Sequence, residues 1–330
     1  MATIESDYLH QELDLRRSRL EEAIRSLGEE PRLVSLLEEV DAALQRMTQG
    51  GFGVCDVCHE PVEAERLLRD PLLRTCLDHL TAEERRALQE DLDLAARIQT
   101  GLLPRRDLGV KGWEATFHYE PAGSVSGDYC DLIPEGNGSG EFTFLIGDVV
   151  GKGVAASMMM AGLRATLRTL LGSGLPAAGL VERANALFCE GIAASQFATL
   201  VCGRASASGT VEICNAGHCP PLLCRGREVT PLPATGLPIG LFCRSVYESR
   251  TVDLAPGDGI LLYTDGLSEA RNGAGDDYGV GRLTRMVEAH RGDPPRNLVA
   301  ACLEDLGVFR GASRPSDDLT LLAIRRSSMS

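Results

Sequence analysis

Four short acidic motifs are the part of this sequence best suited to chemistry: Ser126-Gly127-Asp128, Gly147-Asp148-Val149-Val150-Gly151-Lys152-Gly153, Tyr263-Thr264-Asp265-Gly266 and Ser316-Asp317-Asp318-Leu319-Thr320. Each sets an aspartate at or just beyond the end of an apolar, strand-like run, where the side chain leaves the sheet while its backbone stays held. A single Asp-Gly is most often only a turn. If the four ends converge, however, their carboxylates crowd one cavity and repel one another, an arrangement that divalent cations neutralise. Oxygen donors without clustered imidazoles or thiolates suit Mg²⁺ or Mn²⁺.

A second constellation is of the opposite chemical kind. Cys55-Asp56-Val57-Cys58 is followed, after seventeen residues, by Cys76-Leu77-Asp78-His79. Two ligand pairs at that separation close on one Zn²⁺, and three thiolates with one imidazole fill its tetrahedron without an open position, so the site reads as structural. The alternative is a set of buried or redox-active cysteines. Gly51 and Gly53 are expected to permit the tight knuckle, and His59, out of step with the pairing, reads as a bystander.

The elements that must position these groups change character along the chain. Leu13, Leu20, Ile24 and Leu27 recur at helical spacing before Gly28, and Leu33, Leu37, Val40, Leu44 and Met47 follow Pro31. The brief Gly28-Glu29-Glu30 connection fits an antiparallel helical hairpin over 1–49, with packing of either stripe on the catalytic domain or on a second chain left open. Residues 50–80 form the compact cysteine module. Thr81 and Glu84 make a capping-box pattern at the start of a connecting helix over 81–104, which Pro104 ends.

From Trp113 onward, short apolar runs alternate with turn residues, at 113–119, 142–149, 197–204, 210–214, 221–224, 259–264 and 319–325. Helical patterns occupy 153–172 and 176–192, and a third lies near 280–307. Strands joined mostly by tight turns, with clustered helices, predict an α+β domain over 105–327 built on antiparallel sheets, not a doubly wound parallel sheet.

Taken in order, "ARIQTGLLP", "PAGSVSGDYCD", "FLIGDVVGKGVAASMMM", "CNAGHCPPLL", "GLPIGL", "LLYTDGLSEARN" and "SDDLTLLAI" resemble the SpoIIE/RsbU branch of the metal-dependent 2C-type (PPM) protein phosphatases, over about residues 95–326. The resemblance implies an αββα sandwich of two antiparallel sheets flanked by helices. It also implies hydrolysis of phosphoserine or phosphothreonine, typically on an anti-anti-sigma-type regulatory protein, by a water that two Mn²⁺ or Mg²⁺ ions activate. By that resemblance Asp148 bridges both metals and the Val149 carbonyl completes one of them. Asp265 and Asp317 hold the second, and Asp128 acts on the first directly or through its waters. Cys130 stands where relatives often carry an aromatic residue. No counterpart of the phosphate-binding arginine of eukaryotic relatives is found. Lys152 either touches phosphate or is simply solvated, Met158 to Met160 read as helix packing, and Asn215-Ala216-Gly217-His218 reads as a hairpin turn with a general-acid role for His218 as the minor alternative.

The stretch "ALQRMTQGGFGVCDVCHEPVEAERLLRDPLLRTCLDHL" resembles the zinc finger of the DksA/TraR family, with His79 in place of the usual fourth cysteine. That resemblance leaves RNA polymerase as a minor partner hypothesis beside a homodimer through the N-terminal helices. The helix before the catalytic domain, ending in a similar "LLP", is where relatives couple a sensor to the helices beside the metal site. The composition narrows the rest. In 330 residues with a net charge of −14, no basic block stands ready for nucleic acid. The apolar run from Val154 to Leu163 is too short to span a bilayer. Eleven cysteines, several inside apolar runs, are read as reduced, which with no signal peptide leads to the expectation of a cytoplasmic protein.

Overall fold

The computed structural model describes residues 3–27, 30–136, 139–191 and 196–327. The chain divides into two compact units, Met1–Asp91 and Leu92–Ser330.

In the first unit, α1 (Thr3–Leu27) and α2 (Pro31–Gln49) pack as a helical hairpin. Leu9 clusters with Met47 and Leu13 with Val40 and Ala43, while Arg17 pairs with Asp41, so partners recede along α2 as α1 advances. The pair is therefore antiparallel. Pro31 sits in the first turn of α2, where its missing N–H costs nothing, and Gly50 ends the helix in the left-handed conformation at φ 78°. The Gly28-Glu29 connection lies outside the described residues. The module that follows contains α3 (Ala64–Arg69) and a single 3₁₀ turn at Leu77–His79, with Val62, Leu67, Cys55 and Cys76 in its small core. Gly53 adopts φ 76° as the knuckle requires, whereas Gly51 does not need a positive φ; His59, a non-glycine residue, also takes the left-handed conformation at φ 59°.

The capping box appears at the start of α4 (Ala82–Leu102): the Glu84 N–H donates to Thr81 Oγ1 at 3.1 Å, and the Thr81 N–H to Glu84 Oε2 at 2.8 Å.

The strands of the second unit form two wholly antiparallel sheets. One has the order β1 (Asp107–Val110), β2 (Trp113–Glu120), β11 (Leu319–Arg326), β10 (Gly259–Tyr263), β7 (Leu222–Arg225) and β8 (Glu228–Pro231). The other runs β3 (Asp128–Glu135), β4 (Glu141–Val149), β5 (Ala198–Ala205), β6 (Thr210–Ala216) and β9 (Arg250–Asp253). The two-residue period of each central strand divides its side chains between two cores. Phe142, Phe144 and Ile146 of β4 join Leu322 and Ile324 of β11 between the sheets. Leu145 and Val149 face α5 (Gly153–Leu171) and α6 (Ala177–Gly191), while Leu319, Leu321 and Ala323 face α8 (Val280–Ala289) and α9 (Pro295–Arg310). The layers are helices, sheet, sheet, helices, as the resemblance implied. Each fully buried Leu, Ile or Phe contributes about 1.5–3 kcal/mol, which is why strands apolar on both faces settle in the middle.

A polar clamp fastens α5 to its sheet. Asp131, wholly buried on β3, accepts two bonds from Arg168 at 2.7 Å each and one from the Tyr129 hydroxyl at 3.0 Å, with Arg164 3.9 Å away.

Several readings need correction. The helical pattern near 280–307 is two helices: the first ends at Ala289, and Pro295 opens the next in its first turn. Short β1, β8 and β9 and all of β3 were not read as strands. The cysteines are not all reduced: Cys189 on α6 and Cys243 in the loop after β8 form a disulfide. Asn185 brings them together, accepting from the Gly240 N–H at 2.8 Å and donating to the Phe242 carbonyl at 2.9 Å. Cys130, Cys202, Cys214, Cys224 and Cys302 are free and buried, as small hydrophobes.

Candidate active site at the convergence of four strand ends

Antiparallel pairing decides which ends meet. Asp128, the first residue of β3, stands directly opposite Asp148 near the end of β4. In the other sheet, Tyr263 at the end of β10 pairs with Leu321 near the start of β11, so Thr264-Asp265 and Asp317-Asp318 leave the same edge. Asp265 opens the short helix α7 (Asp265–Ser268). Two hydroxyls then join the sheets: Thr264 Oγ1 and Thr320 Oγ1 donate to Asp128 Oδ2 at 2.9 and 2.5 Å.

The neighbouring acids take different work. Asp318 is buried and turns away from solvent, accepting from the Ala122 N–H at 2.7 Å and the Gly127 N–H at 2.8 Å. It thereby fixes the loop that carries Asp128. The same loop is held from α4, where Gln99 Nε2 donates to the Ser126 carbonyl at 2.7 Å and Gln99 Oε1 accepts the Ser126 N–H at 2.9 Å. Asp317 stays half-exposed and meets Lys152 Nζ at 2.9 Å, while that ammonium also donates to the Ser316 carbonyl at 2.6 Å. Close packing leaves little latitude. A Cβ on Gly266 would lie 1.9 Å from the Asp318 carbonyl oxygen, and one on Gly127 would lie 2.9 Å from the Val149 carbonyl oxygen and 3.3 Å from Asp148 Oδ1. The Val149 carbonyl, like the Asp148 carboxylate, thus faces the Gly127 turn.

Electrostatics reports the same crowding. Burial, then the charge of Asp148, pushes the Asp128 carboxyl well above the usual carboxylate range despite the two threonine hydroxyls. Asp148 is raised to about 7, first by burial and then by Asp265, Asp317 and Asp318. Burial, Asp317 and Glu269 raise Asp265 in turn. Lys152 is raised by its bond to Asp317. Carboxylates that repel at this density, with a backbone carbonyl beside them, are a hard-oxygen donor set that fits Mg²⁺ or Mn²⁺.

His218 does not join them as a titrating group. It is buried, its Nδ1 lies 2.8 Å from Thr199 Oγ1, and burial lowers it to about 4. Asn215 braces the turn, accepting from the His218 N–H at 2.8 Å and donating to its carbonyl at 3.1 Å. Met160 is helix core, whereas Met158 is exposed. Asp318, Thr264, Thr320 and Gln99 were missed as functional residues, although each threonine stands next to or near a singled-out aspartate at a strand end.

In the first unit, Cys55, Cys58, Cys76 and His79 bring their ligand atoms within 4.8 Å of one another. Cys58 Sγ and Cys76 Sγ are 3.7 Å apart and Cys76 Sγ is 3.3 Å from His79 Nδ1. With Zn–S bonds of about 2.3 Å, a tetrahedron has an edge of about 3.8 Å, so the set fits zinc. Backbone N–H groups of the Cys58 turn hold the Cys55 thiol down, favouring the thiolate a metal needs, whereas burial and the bonds to Cys55 and Cys58 push the neighbouring Cys76 thiol up. His59 stands outside the set.

The second unit is similar in fold to the SiaA-PP2C domain of Pseudomonas aeruginosa, with a TM-score of 0.66, 22% identity, and coverage of 75% of this chain and 99% of that one. The RsbU and RsbW domains of Rv1364c from Mycobacterium tuberculosis match with a TM-score of 0.59 and 30% identity, over 69% of this chain and 62% of that one. The class defined by this fold and edge-of-sheet acid site is the PP2C-type protein serine/threonine phosphatase. Residues 138–327, more than half of the chain, match the family described as Stage II sporulation protein E (SpoIIE), and the chain belongs to that family. Among named relatives, Protein IcfG of Synechocystis is 27% identical over 266 residues, covering 72% of this chain but only 42% of IcfG. Phosphoserine phosphatase RsbU of Bacillus subtilis is 24% identical, over 72% of this chain and 71% of RsbU. Among the described residues, no helix is long and apolar enough to cross a membrane.

Proposed function

We propose that this protein hydrolyses phosphoserine or phosphothreonine on a regulatory protein of the anti-anti-sigma type. Asp148, the Val149 carbonyl, Asp128, Asp265 and Asp317 are the residues that would hold two Mn²⁺ or Mg²⁺ ions. When bound, such a pair supplies activation of the attacking water and neutralisation of the phosphoryl charge. The chain's own part is positioning. Thr264 and Thr320 fix Asp128, Asp318 and Gln99 fix its loop, and Gly266 lets Asp265 lie against the β11 entry. No nucleophilic cysteine is needed, because water attacks phosphorus directly.

The observation that carries the reading is the convergence of Asp128, Asp148 and Asp265, all holding their protons more tightly than ordinary carboxyls, at one end of two sheets. That is costly unless a cation repays it. The printed name of RsbU, a phosphoserine phosphatase, supports the substrate class. The test is Mn²⁺-dependent release of phosphate from a phosphoserine protein by the full chain, abolished in Asp148→Ala and Asp265→Ala; undiminished turnover in either variant rejects the site.

Regulation is assigned to the N-terminal segment. The Cys55, Cys58, Cys76 and His79 set would hold one structural Zn²⁺, and α4 passes any change to the Asp128 loop through Gln99. Deletion of residues 1–80 is expected to alter the basal rate. The N-terminal hairpin is also the segment proposed for a homodimer, and an RNA polymerase contact remains the lesser reading of the zinc module.

A further inference from the structure

Between the Ala122–Val125 loop, the Lys152–Val154 turn and Pro315–Ser316 lies a cavity of about 450 Å³, bordered by Asp318. It opens beside the acid cluster, and Lys152 stands between the two. The lysine is set there by its backbone. Gly151 and Gly153 on either side adopt φ 99° and 73°, and a Cβ on either would meet nothing within 4 Å. These glycines serve conformation, not packing, and they leave the approach to the ammonium clear. The side chain itself is 62% exposed, and among the described residues its ammonium bonds the Ser316 carbonyl and Asp317.

We propose that Lys152 is the phosphate-binding cation of this site, doing the work for which the sequence supplies no upstream arginine. This rests on the phosphatase reading above. Two divalent cations would do no more than cancel Asp128, Asp148, Asp265 and Asp317, leaving the two negative charges of a phosphate monoester uncompensated. With Asp317 engaged by a metal, the ammonium would lose its reason to stay on that carboxylate, since like charges repel. The four-carbon stem then delivers the charge to the cavity side of the cluster, where a phosphate oxygen arrives. The cavity, lined by Ala122, Gly123 and Ser124 with Leu92, Val125 and Val154, leaves room for the residues flanking the phosphorylated hydroxyl.

Lys152→Met and Lys152→Arg test the assignment in the full chain. The readouts are calorimetric affinity for inorganic phosphate in the presence of Mn²⁺, affinity for Mn²⁺ alone, and the division of any kinetic loss between KM and kcat on a phosphoserine peptide. Loss of a charge-assisted bond predicts phosphate affinity about tenfold weaker in Lys152→Met, largely restored in Lys152→Arg. Mn²⁺ affinity is expected to hold or rise, because a competing cation has gone. Unchanged phosphate affinity in Lys152→Met, or a loss of Mn²⁺ binding that accounts for it, overturns the inference while wild-type hydrolysis of phosphoserine leaves the phosphatase reading standing. A wild type that neither binds Mn²⁺ nor hydrolyses phosphoserine overturns both.

Discussion

Replacing Asp148 with asparagine is expected to stabilise the metal-free protein while removing its response to metal. Asp148 is half-buried opposite Asp128, and burial with the charges of Asp265, Asp317 and Asp318 raises its carboxyl from 3.8 to about 7. At about 1.36 kcal/mol per pH unit, that interval is about 4 kcal/mol held against the charged form. Discounted for contact with water, about 2–3 kcal/mol remains. Because the folded state holds the proton more tightly than the unfolded chain, this group's stabilising contribution is complete below about pH 4 and is lost as pH rises through about 7. Asparagine keeps the shape and never ionises. Calorimetric melts of the full chain in Mg²⁺- and Mn²⁺-free buffer should therefore find Asp148→Asn more stable by about 2–3 kcal/mol at pH 8, a rise of about 4–12 °C for a domain of this size. At pH 5 the gap should narrow. Added Mn²⁺ should raise the wild-type transition and leave the variant unmoved. A variant no more stable than wild type at pH 8, or one that gains equally from Mn²⁺, would refute the claim that this carboxylate is strained for the sake of a cation.

Two further outcomes are expected. Asp131→Ala removes the buried partner of Arg168, whose side chain is partly solvated, and of Arg164, and should cost about 2–3 kcal/mol in urea unfolding, so a loss below about 1 kcal/mol would show that the clamp on α5 is idle. Elemental analysis of the purified chain should find one zinc per molecule, absent in Cys76→Ser, and a zinc-free wild type would return the four residues to ordinary buried thiols.

Much of this site could be read before folding. Asp148 and Asp265 follow apolar runs long enough to mark β4 and β10, so their places at strand ends came with the hydrophobic pattern. The zinc ligands were legible for a local reason, since each pair closes its own short turn. β3 escaped because it begins on Asp128 itself and carries Asp131 and Pro134, residues whose intrinsic preference is against a strand. Pairing with β4 along one edge, and burial between the other sheet and the α5 layer, override that preference.

What the sequence determined alone was an inventory: four aspartates at the ends of regular elements, a three-thiol, one-imidazole set, and the alternation that forces two sheets and their helices. Local physics suffices for these, because periodicity and turn spacing act over a few residues. The tertiary structure alone decided the assignments. Asp317 and Asp318 are identical and adjacent, yet one meets Lys152 and the other clamps the Ala122 and Gly127 amides, because successive residues at a strand entry point to opposite sides. Cys189 and Cys243, 54 residues apart, pair because Asn185 anchors a loop. Contacts between distant segments follow from the closure of the whole sandwich, and no window of sequence contains that closure.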